Sequence, residues 1–194
     1  MEYPLELKFR LLTFGQRITA SDGNGRLLLF VKQKMFKLRE QVDVYRDTDL
    51  QELLFRIQAD RVLDLSANYH FTDAQGQPWG SVCRDGLQSL WSARYDIVQH
   101  GKVDMVIREE NPMKKFFESV LSEIPIVGFL MVLVLNPSYL VRRTDGTPVL
   151  RLSKRPAIME SRFTVEKLAE LPEDDELRCL LALMMLVLLE RGRG

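Results

Sequence analysis

The chain closes on CLLALMMLVLL, Cys179 to Leu189, eleven apolar residues without interruption. Any fold it adopts has to put that segment somewhere. At about 1.5 Å per helical residue the run covers roughly 17 Å, little more than half of the ~30 Å that a bilayer core demands. It is too short to span. Its flanks are those of a helix. Pro172 and the acids Glu173 to Glu176 stand at the first turn, where the helix dipole is positive, and Arg191 with Gly192 suits the other end. The helix expected over 174–191 is not amphipathic. Leu177, Leu181, Met184 and Leu188 make one stripe, while Cys179, Leu180, Leu183, Leu186 and Val187 cover the other faces. Leaving about ten such side chains in water would cost on the order of 15–25 kcal/mol, more than the whole stability of a typical domain. The rest of the chain must enclose it.

That remainder reads as β-structure, and it repeats. Leu28–Asp47, LLFVKQKMFKLREQVDVYRD, resembles Leu53–Asp73, LLFRIQADRVLDLSANYHFTD: both open on Leu-Leu-Phe and close on an aromatic residue shortly before an aspartate. Asp22, Asp47 and Asp73 are spaced by 25 and 26 residues. Turn signals recur at Ser21-Asp22-Gly23-Asn24-Gly25, Thr72-Asp73-Ala74-Gln75-Gly76 and Thr144-Asp145-Gly146, with Gly or Asn to take positive φ. The flanks alternate at strand length: Val42, Val44 and Arg46 against Asp43 and Tyr45, and Leu150 and Leu152 against Arg151 and Ser153. The repeating unit is a pair of strands. The expected fold is mainly β: a closed antiparallel β-barrel of about twelve strands around the central hydrophobic C-terminal α-helix, in a single domain over 1–194. Closure also removes the unpaired edges.

Asn111 to Asn136 breaks the repeat. Asn111-Pro112 starts a helix, and Met113, Phe116, Phe117, Val120 and Leu121 follow the spacing of a one-sided one. IPIVGFLMVLVL, Ile124 to Leu135, contains Pro125 and Gly128. It is read as a buried, bent strand, the alternative being a segment that dips into a membrane.

Composition narrows the classes of function. Lys plus Arg and Asp plus Glu both number 27, so formal net charge is zero, which argues against a dedicated nucleic-acid binder. Cys83 and Cys179 stand in unrelated contexts, so no disulfide framework is implied and a reducing, cytoplasmic setting is expected. The N-terminus mixes charge into its apolar residues and carries no signal-peptide pattern.

Four stretches together point to a family: VKQKMFKLREQVDVYRD, the turn YLVRRTDGTPVLRL, the expected strand FTVEKLAEL and the terminal LLALMMLVLLERGRG. In their order, and in the apolar last helix, they resemble the LURP-one-related proteins, which belong with the tubby C-terminal and phospholipid scramblase domains. The resemblance covers nearly the whole chain and implies a twelve-strand barrel around a central C-terminal helix. It implies less about function. Tubby domains bind phosphoinositides at a basic surface groove, scramblases associate with membranes and respond to calcium, and many LURP-one-related proteins have no assigned activity.

No motif for catalysis is present: there is no G-x-S-x-G, P-loop, H-E-x-x-H or paired-cysteine spacing. His70 and His100 lie 30 residues apart and are read as surface or satisfied histidines, and Cys83 and Cys179 as packing residues. No enzyme, cofactor or metal is expected. The residues singled out for binding are Lys32 and Lys34, two apart on one strand and so on one face, with Lys37 and Arg39 repeating the pattern beyond Met35-Phe36. Four cations on adjacent strands suit a phosphorylated head group. The resemblance makes Lys32 and Lys34 the nearest counterparts of the tubby strand cations. The same residues also fit a solvated outer face. Lys114-Lys115 and Lys154-Arg155 can add to the patch. The acids Glu170 and Glu173 to Glu176 fall where scramblases are proposed to bind calcium, but the D-x-D-x-D-G order is missing and the helix dipole already accounts for them. Two functions stay open. One is a barrel that binds anionic phospholipid head groups, phosphoinositides among them, peripherally at a membrane surface. The other is a structural barrel that meets a protein partner and takes no small ligand.

Overall fold

The computed structural model describes residues 1–12, 15–34, 41–61, 67–84, 94–110, 138–156 and 160–191. The segments expected to form the Met113–Leu121 helix and the Ile124–Leu135 strand lie outside these residues, as do Lys37, Arg39, Lys114 and Lys115.

Twelve antiparallel strands close into a barrel: β1 (Leu5–Leu12), β2 (Gly15–Ser21), β3 (Leu27–Lys34), β4 (Gln41–Tyr45), β5 (Leu53–Ala59), β6 (Asn68–Asp73), β7 (Pro78–Arg84), β8 (Arg94–Gln99), β9 (Lys102–Glu109), β10 (Ser138–Arg143), β11 (Pro148–Arg155) and β12 (Ser161–Lys167). Each strand pairs with the next in sequence, and β1 closes the ring on β12. The C-terminal helix, α1 (Glu173–Arg191), is one residue longer than expected. Strand β4 ends at Tyr45, so Arg46 lies just outside the alternation. The FTVEKLAEL strand stops at Lys167, because Leu171 must turn inward to lead the chain into the barrel.

Strand-to-strand connections separate the barrel into two ends. At one end the turns are short, and those between β2 and β3, β4 and β5, β6 and β7, and β10 and β11 are closed by aspartates. Asp22 Oδ1 accepts from the amides of Asn24 and Arg26 at 3.1 and 2.9 Å. Asp47 accepts from the amides of Asp49, Gln51 and Glu52. Asp73 accepts from Gln75 and Gln77, and Asp145 from Thr147. The repeated aspartates of the sequence are therefore turn closers. At the other end lie the longer connections, such as that from β7 to β8 and that from β9 to β10.

A twelve-strand barrel is too wide for side chains alone to fill, whereas eight strands are not. The helix supplies the missing volume. Every residue from Cys179 to Leu188 is buried against inward-facing strand residues such as Leu7, Ile18, Val44, Phe71, Ile97 and Val165. At about 1.5 Å per residue its 19 residues run roughly 28 Å, close to the ~26 Å of an eight-residue strand.

Polar side chains fix both ends of this plug against β7 and β8. Near the helix start, the Arg178 guanidinium donates from Nε to the Trp79 carbonyl at 3.0 Å and from Nη1 to Asp175 at 2.6 Å, with Asp104 at 3.9 Å and the Trp79 ring at 5.5 Å. Near its end, the Tyr95 hydroxyl donates to Glu190 at 2.8 Å, and Arg84 lies 3.6 Å from the same carboxylate. Burial and the neighbouring Glu190 carboxylate push the Tyr95 phenol up, so it stays a donor.

Candidate functional site

Alternation decides which side chains leave the barrel. Leu7, Phe9, Ile18, Val31 and Phe163 point into the core, so their sequence neighbours point outward. The outward set on five adjacent strands contains Lys8 and Arg10 of β1, Arg17 of β2, Lys32 of β3, Arg155 of β11 and Arg162 of β12. Pairing register brings them together. Arg155 stands opposite Arg162, Arg162 opposite Lys8, Arg10 opposite Arg17, and Arg17 opposite Lys32. Like charges directly opposite each other on neighbouring strands repel. Here four such pairs run in sequence around the end of the barrel that bears the long connections.

Among the described residues local counter-charge is sparse. Glu160 lies 3.3 Å from Arg10 and 2.7 Å from Arg162, and Glu6 lies 2.9 Å from Lys8. The hydrogen bond from Arg162 holds the Glu160 carboxyl below the usual carboxylate range. Arg155 Nε donates to the Thr164 hydroxyl at 3.0 Å, a neutral partner. Among the described residues neither Arg17 nor Lys32 meets a carboxylate within 4 Å. Arg17 lies over the Phe30 ring at 5.6 Å, and its Nε is buried without a hydrogen-bond acceptor. Phe30 is itself buried on the outward register of β3, so the Arg17 guanidinium rests on an apolar surface that strengthens its field.

Lys32 sits exposed at one flank of this belt. Of Lys34 the backbone is described, opposite Gly15 on β2, two residues further along the same strand. The expected partners Lys37 and Arg39 fall outside the described residues. Lys154 belongs to the inward-facing register, opposite Phe163, and Arg155 belongs to the belt. Arg10, Arg17 and Arg162 were not singled out by the sequence. Their even offsets within strands were visible, but the β1–β12 closure that aligns them was not.

The other sequence candidates resolve into structure. His70 is exposed on β6, and His100 is exposed at the β8–β9 turn, with φ +49. Cys179 is buried 3.5 Å from Met105 Sδ, and burial pushes its thiol up. Cys83 is part-exposed on β7. Three of the acids around the helix start meet cations: Lys167 Nζ lies 2.7 Å from both Glu170 and Glu176, and Arg178 meets Asp175. Among the described residues no group of three His, Cys, Asp or Glu side chains could hold a metal ion, and no helix is long and apolar enough to cross a membrane.

The fold is thus a helix-plugged, twelve-strand barrel with a cationic outer belt. The family model for LURP-one-related proteins matches residues 27–124, half of the chain, and the chain belongs to that family. No curated protein matches it significantly.

Proposed function

We propose that this protein is a non-enzymatic barrel that binds anionic phospholipid head groups peripherally at a membrane surface. The observation that supports this reading is the run of like-charged cross-strand pairs, above all Arg17 opposite Lys32, neither of which meets a carboxylate among the described residues. A solvated, purely structural face gains nothing from placing cations opposite cations. An anionic head group relieves that repulsion by accepting charge-assisted hydrogen bonds from both strands. Lys34 follows two residues further along the same strand, opposite Gly15; Lys37 and Arg39, which the sequence also singles out, lie outside the described residues.

Vesicle co-sedimentation tests the reading. Neutral phosphatidylcholine vesicles are compared with vesicles containing phosphatidylserine or phosphoinositide, at low and at physiological salt. Binding to the anionic vesicles alone is expected, weakening with salt and lost on combining Arg17→Glu with Lys32→Glu. Binding to none of them would remove the lipid reading and turn the search to protein partners.

A further inference from the structure

We infer that the belt engages several head groups of an anionic bilayer at once, with the aspartate-turned end of the barrel pointing away from the membrane. This rests on the lipid-binding reading and adds the geometry of contact. The first argument is extent. The belt crosses five adjacent strands, β11, β12, β1, β2 and β3. At about 4.8 Å per strand its flanks are roughly 19 Å apart. One phosphate can bridge the cations of two neighbouring strands, but not Lys32 on β3 and Arg155 on β11 together.

The second argument is shape. Lys32, Arg155 and Arg162 are exposed, Arg10 is at 54% and Lys8 at 39% side-chain exposure, and Arg17 is half-buried beside the buried Phe30. The cations are spread in a row over the outward register of five strands and belong to separate strands. A row of separate cations matches a sheet of separate anions.

The third argument is polarity along the barrel axis. The net charge of zero conceals a separation. The short-turn end carries Asp22, Asp47, Asp73 and Asp145, with Asp22 paired to Arg26, and beside them the helix opens on four consecutive acids, of which Asp175 and Glu176 are paired with Arg178 and Lys167. Hydrogen bonds from the Glu52 and Thr147 amides hold Asp47 and Asp145 below the usual carboxylate range, so they stay charged. An anionic leaflet repels that end and attracts the belt, and its field fades within about one Debye length, ~8 Å at physiological salt. Only the belt side can lie inside that layer.

The test compares two substitutions that change net charge equally: Arg155→Glu at the belt flank far from Lys32, and Lys102→Glu at the start of β9 on the opposite end. Both positions are exposed. Thermal melts establish that each variant folds like the parent. On phosphatidylserine vesicles Arg155→Glu is expected to weaken binding at least about five-fold, the worth of one basic residue near an anionic leaflet. Lys102→Glu is expected to leave binding unchanged, and soluble inositol trisphosphate to leave the vesicle-bound protein in place. If Arg155→Glu bound like the parent, or inositol trisphosphate displaced the protein, the contact would be a single head-group site at β2–β3. The inference would then fail while lipid binding stood. Equal losses in both variants would reduce the effect to net charge and overturn the orientation. A parent protein that binds no anionic vesicle removes both readings.

Discussion

Gly80 shows how tightly single residues are held where the plug meets the wall. Its φ is +134°, and a Cβ built there would lie 2.9 Å from the Val98 carbonyl oxygen and 3.0 Å from Arg178 Cδ. The residue has to be glycine for two reasons: the backbone conformation, and the passage of the Arg178 side chain across it. Arg178 in turn is 3% exposed at its side chain and serves the Trp79 carbonyl and Asp175 together. Gly80→Ala is expected to destabilise the protein by about 2 kcal/mol or more, through backbone strain and overpacking. Arg178→Ala is expected to cost about 3 kcal/mol, because it strands buried polar partners. Urea unfolding followed by tryptophan fluorescence measures both, and a parental midpoint for Gly80→Ala would contradict the close approach.

At the scale of the element, the helix is held by apolar contact on every side and by polar contact only near its ends. Midway, Leu183 and Met184 are buried among strand side chains and touch no solvent. Leu183→Ala should cost about 2–5 kcal/mol, depending on how far the barrel collapses onto the gap. Met184→Asp and Leu181→Asp should prevent folding, since each buries a charge without a partner. Circular dichroism melts decide: a Met184→Asp protein that melted like its parent would mean the helix is not enclosed. The turns are a second kind of element in which local chemistry suffices. The four turn aspartates accept from amides two to five residues ahead; three of the turns were read from Asp with Gly or Asn nearby, while Asp47 was noted only for its spacing in the repeat. Strand ends were read less well, as at Tyr45 and Lys167. Where a strand stops is set by where its neighbour stops, and a local pattern carries no record of that.

For the whole molecule the relevant quantity is the arrangement of charge. Among the described residues Glu160 is the one carboxylate that meets two belt cations, Arg10 and Arg162. It competes with any anion that approaches them. Glu160→Gln is expected to tighten binding to phosphatidylserine vesicles several-fold, about the worth of one recovered cation. Because Arg162 holds the Glu160 carboxyl below its ordinary range, it is charged throughout about pH 5 to 8, and the gain should be flat across that window. Co-sedimentation at several pH values checks it; an unchanged or weakened affinity would mean Glu160 does not shield the belt.

The sequence by itself determined the parts and their inventory. Eleven consecutive apolar residues demanded an enclosure, alternation and aspartate turns supplied strands, and a chain of such strands around a helix has to close to hide its edges. These are consequences of local periodicity and of the hydrophobic effect, and both are written along the chain. The candidate site was legible at Lys32 and Lys34, because cations two apart on one strand share a face whatever the fold, and at Arg155, which the sequence offered as an addition to the patch. The remainder of the belt came from the tertiary structure alone. Arg10 meets Glu160 across 150 residues, and Arg162 meets Lys8 only because β12 pairs with β1 in one register. Burial of the inward faces selects that register, since a slip by one residue would turn the core of β1 or β12 outward. The cations on the outward faces are carried into a row by a choice the core makes.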